Sequence, residues 1–234
     1  MAKPAVLLIP GLGGRAALWD AQVAALSAKF DPIAVSHGAL ASVEAFAANL
    51  VKMLDDRKIE RCHVVGQSMG GAIAQVLAED HPERVERLVL SSTWCGPTPA
   101  FRSSFELRKR MLLELGPGAY ALHGVLLGWP DEWLAAHPDL LKPVLEESEV
   151  PATLARLDAI LAFERCAKLA GIRAPTLVVC CEDDNVVPVA HSRRLAAGIP
   201  GARLELLPRG GHFPQVTQTA AYNAMLLAFL EIRG

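Results

Sequence analysis

The chain has 234 residues, 52% hydrophobic and 21% charged, with 23 Lys and Arg against 25 Asp and Glu for a net charge of -2. Hydrophobic content this high with so few charges excludes a disordered chain. The even charge balance argues against nucleic acid or an anionic membrane as the main partner.

At roughly 150 residues per domain the length suits one or two domains, and it is enough to bury a core without staples. In chain order, the apolar run Ala5 to Ile9 comes first. It is too short for the apolar part of a signal peptide, and Pro10-Gly11-Leu12-Gly13-Gly14 breaks it. It reads as a strand buried on both faces, because it does not alternate. An amphipathic helix follows from about Ala16 to Ala28, then a strand from Pro32 to Ser36. Ser42 is the N-cap candidate of a helix running to about Arg57. His63 to Gly66 is a third strand, breaking sharply into an alanine-rich helix from Met69 to Asp80. Val85 to Ser91, Thr176 to Cys181 and Arg203 to Leu207 are the remaining strands, and the last helix runs from Thr219 to about Ile232.

This alternation predicts an α/β fold with a mostly parallel sheet of about six strands and helices on both faces. The stretch from Gly96 to Leu169 breaks the rhythm with helical segments interrupted at Gly116-Pro117-Gly118, Pro130, Pro138 and Pro151. The expected organisation is a core of residues 1–95 and 170–234 with a helical cap insertion at 96–169. An insertion there emerges at the C-terminal edge of the sheet, where open α/β folds bind ligands. Its apolar residues, among them Leu112, Leu115, Leu126, Leu134 and Leu141, are expected to cover the mouth of the site. Arg108-Lys109-Arg110 reads as a solvated helix face. The five cysteines are odd in number and unpaired in spacing, so neither a disulfide framework nor a zinc site is expected, and a reducing cytoplasm fits. No run of 18 apolar residues exists to span a membrane.

Gly66-Gln67-Ser68-Met69-Gly70 matches G-x-S-x-G between a β-run and a helix start. That is the setting of a nucleophile elbow, in which a strained serine stands clear of the sheet and flanking glycines avoid a clash. The helix N-terminus behind Ser68 adds positive potential where negative charge would gather. An ordinary tight turn is the alternative. A serine hydroxyl needs a base, and the base needs an orienting acid. Among seven histidines, His212 stands out in Gly210-Gly211-His212-Phe213-Pro214, just after the sixth strand. His37, after the second strand, could touch the mouth of the site. Glu182, Asp183 and Asp184 stand together after the fifth strand, with Asp184 the first candidate for the acid and Asp183 the second.

With these blocks in the order Ser, Asp, His, the chain resembles the α/β-hydrolase superfamily over nearly its whole length. Asp184 stands four before Pro188, as in that family's G-x-x-D-x-x-x-P. The resemblance implies a Ser68, Asp184 and His212 triad, with an oxyanion hole from the backbone N–H groups of Leu12 and Met69. The chain departs from the family at Pro10-Gly11, where His-Gly is usual. The family's fold usually opens with an antiparallel hairpin, whereas this chain starts almost directly at the first parallel strand, so a trimmed sheet of about six strands is expected, with a shortened turn at Ser36-His37-Gly38-Ala39. A weaker resemblance, on Gly11 to Gly14, Leu127 to Ala136 and Gly210 to His212, is to the aminoacrylate or carbamate hydrolase group, with enol-lactonases and small carboxylesterases close by.

The expected activity is hydrolysis of a small, mostly apolar carboxylic ester or related acyl compound through an acyl-enzyme. Carbamate, aminoacrylate, lactone or C–C bond hydrolysis on the same residues is the alternative. A ligand-binding protein and a cofactor-free oxygenase or perhydrolase on this fold are the remaining rivals. Trp94, Trp129 and Trp133 either line an apolar pocket or pack in the core. No metal, dinucleotide or phosphate-loop signature is present, so no cofactor is expected. The expected partner is a small acyl substrate, and the oligomeric state is open.

Overall fold

The computed structural model describes residues 3–38 and 42–231. Ala39 and Ile232, which bound the expected turn and last helix, lie outside the described residues. The strands are β1 (Ala5–Ile9), β2 (Asp31–Ala34), β3 (Cys62–Gln67), β4 (Val85–Ser91), β5 (Thr176–Cys181) and β6 (Arg203–Leu207). They form one six-stranded sheet in the order β2-β1-β3-β4-β5-β6, with every pairing parallel. Parallel neighbours need crossovers long enough for a helix, and such crossovers cover both faces.

Successive side chains on a strand point to opposite faces. Leu7, Ile9, Val64, Leu90 and Val178 therefore enter one core layer, while Val6, Leu8, Val65, Val89 and Val179 enter the other. Three helices cover the first layer: α2 (Val43–Asp56), α3 (Met69–Asp80) and α8 (Val189–Gly198). The second is covered by α1 (Asp20–Leu26) and α9 (Thr219–Leu230), with Trp19 and Tyr222 fully enclosed. Ser42 caps α2 as expected, its hydroxyl accepting from Ala45 N at 3.1 Å. Helix α8 was not legible as a separate element, because His191, Arg193 and Arg194 dilute its short apolar pattern. The expected first helix is split into a tight turn over Ala16–Trp19 followed by α1.

Between β4 and β5 run α4 (Pro99–Glu114), α5 (Gly116–Gly128), α6 (Asp131–Ala136) and α7 (Val150–Ala162). Of the prolines that break the pattern, Pro117 and Pro151 sit in first turns, where a missing N–H costs nothing, as does Pro99, and Pro130 stands at the N-cap of α6. Not all the leucines of the insertion are covered. Leu112 and Leu134 are buried, but Leu115, Leu126 and Leu141 remain 67%, 56% and 40% exposed. Folded surfaces are more than half apolar, so single exposed leucines carry little penalty.

The cysteine reading is overturned. Cys95 and Cys166 form a disulfide across a sequence separation of 71. It closes the neck of the insertion, where Arg165 N also donates to Cys95 O at 2.6 Å. Arg165 anchors that neck to the core, with Glu79 and Glu44 each at 3.1 Å and Asp80 at 2.9 Å. Spacing along the chain could not pair these cysteines, because only the return of the chain after α7 brings them together. The bond also removes the cysteine count as an argument for a reducing compartment. Cys62, Cys180 and Cys181 are free and buried. Among the described residues no helix is long and apolar enough to cross a membrane.

Candidate active site

Strand β3 ends at Gln67, and α3 begins at Met69. Ser68 between them takes φ 53° and ψ -121°. A non-glycine residue in that region stores about 1–3 kcal/mol of strain, held only where the surroundings over-determine it. Ser68 N donates to Ser91 O at 2.9 Å, and Thr93 Oγ1 donates to Ser68 O at 2.7 Å. Thr93 is a support that sequence reasoning missed. A Cβ at Gly66 would run into the backbone of Gly70, and one at Gly70 into the carbonyl of Ile9. The two glycines are thus required by the close approach of helix and strands.

His212 and Asp184 come from the loops after β6 and β5. Asp184 Oδ2 lies 2.9 Å from His212 Nδ1, and Oδ1 lies 3.1 Å from it. Asp184 Oδ1 also accepts from Val186 N and Val187 N, both at 2.9 Å. Asp183, the second candidate, does something else. Its carboxylate accepts from Gly210 N at 3.2 Å and Gly211 N at 2.9 Å, so it holds the loop rather than the imidazole. Gly211 has φ 65°, which lets the chain turn just before His212. His212 N donates to Gly128 O at 2.8 Å, and Gln67 Nε2 donates to His212 O at 3.0 Å. The end of α5 therefore helps to place His212.

Ser68 and His212 line one cavity of about 460 Å³. Both are only 4% exposed, and Asp184 is 3% exposed. Leu12, from the glycine-rich turn after β1, lies on the wall of the same cavity. That turn passes close to the elbow: a Cβ on Gly11 would stand 3.1 Å from Ser68 Cβ. Met69 is the first residue of α3, so its N–H has no acceptor within the helix. His37 does not reach the cavity. Its Nε2–H donates to Pro10 O at 3.1 Å, and burial holds its pKa below the usual histidine value. It braces the turn at the point where Pro10 departs from the His-Gly pattern.

The inserted helices supply the opposite wall. Phe105, Arg108, Tyr120, Val125 and Trp129 face the same cavity as Ser68 and His212. The three tryptophans divide. Trp129 lines the cavity and stacks on Phe213 with ring centroids 4.5 Å apart. Trp94 is fully buried in the core against Phe101, Phe105 and Phe163. Trp133 stacks outside the cavity on Trp129 and His137. The reading of Arg108 as a solvated residue is also corrected, since it is only 7% exposed. Phe101, Phe105, Arg108 and Leu112 are the buried residues of α4, and their spacing is one helical face. That stripe was the available signal, and the neighbouring Lys109 and Arg110 masked it. Among the described residues no group of three or more His, Cys, Asp or Glu is placed to hold a metal ion.

The alpha/beta hydrolase family profile matches residues 6–225. The chain belongs to the alpha/beta hydrolase family. It is 34% identical over 248 residues to the "Putative carbamate hydrolase RutD" of Caulobacter sp. (strain K31), covering 98% of this chain and 91% of that protein. It is 36% identical over 244 residues to the protein of the same name in Variovorax paradoxus (strain S110), covering 97% and 91%. Among solved structures it is similar to a hydrolase from Pseudomonas aeruginosa PA01, with TM-score 0.86, 27% identity, and 98% and 91% of the two chains covered. The fold is also that of the enol-lactonase from Burkholderia xenovorans LB400, with TM-score 0.89, 24% identity, and coverage of 99% and 93%.

Proposed function

We propose that this member of the alpha/beta hydrolase family is a serine hydrolase of small, mostly apolar carboxylic esters or related acyl compounds. The observation that carries this reading is a strained Ser68 sharing one cavity with a His212 whose Nδ1 is held by Asp184 at 2.9 Å. Ser68 Oγ attacks the carbonyl carbon while His212 Nε2 takes its proton. The oxyanion is received by the N–H groups of Leu12 and Met69, each worth about 3–4 kcal/mol by the usual cost of losing such a donor. His212 then returns the proton to the leaving group, and Asp184 stabilises the imidazolium. Water, activated by the same imidazole, hydrolyses the acyl-enzyme and regenerates Ser68. The insertion acts as a cap whose aromatic wall excludes water from the acyl group.

A second reading, carbamate hydrolysis on the same residues, is favoured by the name of relatives 34–36% identical over nearly the whole chain. A cytoplasmic location goes with either reading. The test of the serine is labelling with a fluorophosphonate. Covalent modification of the wild type at Ser68, absent in Ser68→Ala, is expected, and an unlabelled wild type removes the proposal. A panel of matched esters, lactones and carbamates then separates the two substrate readings by kcat/KM.

A further inference from the structure

Arg108 poses a problem that the hydrolase reading leaves unsolved. Its guanidinium lies between two rings, with Cζ 5.2 Å from the centroid of Phe105 and 5.2 Å from that of Tyr120. Its Nε is buried and has no hydrogen-bond partner. Among the described residues no carboxylate is within ion-pair distance of it. A buried charge ordinarily carries a hydrogen-bonded counter-charge, because desolvation without one is costly. Cation–π contact with two rings offsets part of that cost but leaves the in-plane donors unused.

The surroundings show where a partner would come from. Arg108 lines the cavity that Ser68 and His212 share, and no Asp or Glu lines that cavity. The second cation on its wall, Arg15, is already paired with Glu149 at 3.2 Å. The rest of the wall near Arg108 is apolar, from Phe105, Tyr120, Val125 and Trp129. One guanidinium without an ion-pair partner in this part of the wall suits a single negative charge carried by a small molecule. A guanidinium fork matches the two oxygens of a carboxylate, whereas a phosphate dianion would leave one charge unmatched.

We propose that Arg108 is the anchor for a substrate carboxylate, so that the enzyme acts on acyl compounds carrying a free acid group apart from the scissile carbonyl. This rests on the serine hydrolase reading for the reaction, though the anion site itself stands on Arg108 and the cavity alone. The chemistry at Ser68 is unchanged. Arg108 fixes the far end of the substrate and thereby the placement of the carbonyl at Ser68.

The test compares the mono-4-nitrophenyl ester of adipic acid with 4-nitrophenyl hexanoate, a neutral ester of the same chain length. The wild type is expected to favour the half-ester by at least tenfold in kcat/KM. In Arg108→Met, which keeps an apolar stem between Phe105 and Tyr120, the ratio of the two kcat/KM values should fall at least tenfold. Arg108→Lys, which keeps the charge without the fork, should lie between and serves if the methionine variant folds poorly. A ratio near one in the wild type, or the same ratio in both variants, overturns the proposal. If neither ester is turned over, the ester reading fails and the anion site is judged by binding alone. Adipate titrated into Ser68→Ala by calorimetry should then bind at least tenfold tighter than into Ser68→Ala with Arg108→Met. Equal binding overturns the anion site.

Discussion

Asp184→Asn is the substitution whose outcome the geometry dictates most closely. Asp184 Oδ1 accepts two backbone N–H groups, from Val186 and Val187, each at 2.9 Å. In an asparagine the amide oxygen must keep that place, because an NH2 group there would face two donors. The amide nitrogen then takes the place of Oδ2, 2.9 Å from His212 Nδ1. Two donors cannot share that contact, so the imidazole takes the tautomer with an unprotonated Nδ1. Its Nε2 then carries the proton and cannot accept one from Ser68. The same tautomer error in an unrelated triad enzyme lowers turnover about 10⁴-fold, equivalent to about 5.4 kcal/mol in the barrier. Both backbone hydrogen bonds survive, so the stability change should be within about 1 kcal/mol. Hydrolysis of a short 4-nitrophenyl ester measures the first quantity, and urea unfolding of the same preparation measures the second. Asp183→Asn, which weakens only the hold on Gly210 and Gly211, should cost far less activity. Retention of more than a tenth of wild-type activity in Asp184→Asn, or greater damage from Asp183→Asn, refutes the reasoning.

The other expectations follow from packing. Trp94→Ala should lower stability by about 3–5 kcal/mol in chemical denaturation, because it empties a fully buried site among three rings. Trp129→Ala should instead change the order of preference in an ester panel, since its ring is on the cavity wall. Replacing both Cys95 and Cys166 by serine reopens a loop of sequence separation 71, for which loop closure predicts a loss of about 4 kcal/mol, read from urea midpoints with and without reductant. Arg165→Leu should destabilise by about 3–5 kcal/mol in the same assay, because Glu79 is left buried without its cation. A change within 1 kcal/mol would show that the neck needs no charge anchor.

The parallel sheet, the elbow and the order of the three candidate residues were legible in the chain because each is local. Hydrophobic runs of strand length, G-x-S-x-G at a strand-to-helix junction, and the spacing from Asp184 to Pro188 all lie within a few residues. Choosing Asp184 over Asp183 needed the family's spacing, and only the fold showed that Asp183 has its own task in holding Gly210 and Gly211. The fates of Trp94, Trp129 and Trp133 were open for the same reason, since a tryptophan suits a core and a pocket wall equally. The Cys95–Cys166 bond joins positions 71 apart, and nothing short-range could pair them. Arg108 was misread because its neighbours are charged, although its helical stripe is apolar. The chain by itself determined the six strands, most of the helices and the candidate residues for the chemistry. Only the tertiary structure decided which side chains meet across the sheet edge, because burial and counter-charge are properties of the assembled fold and not of any one segment.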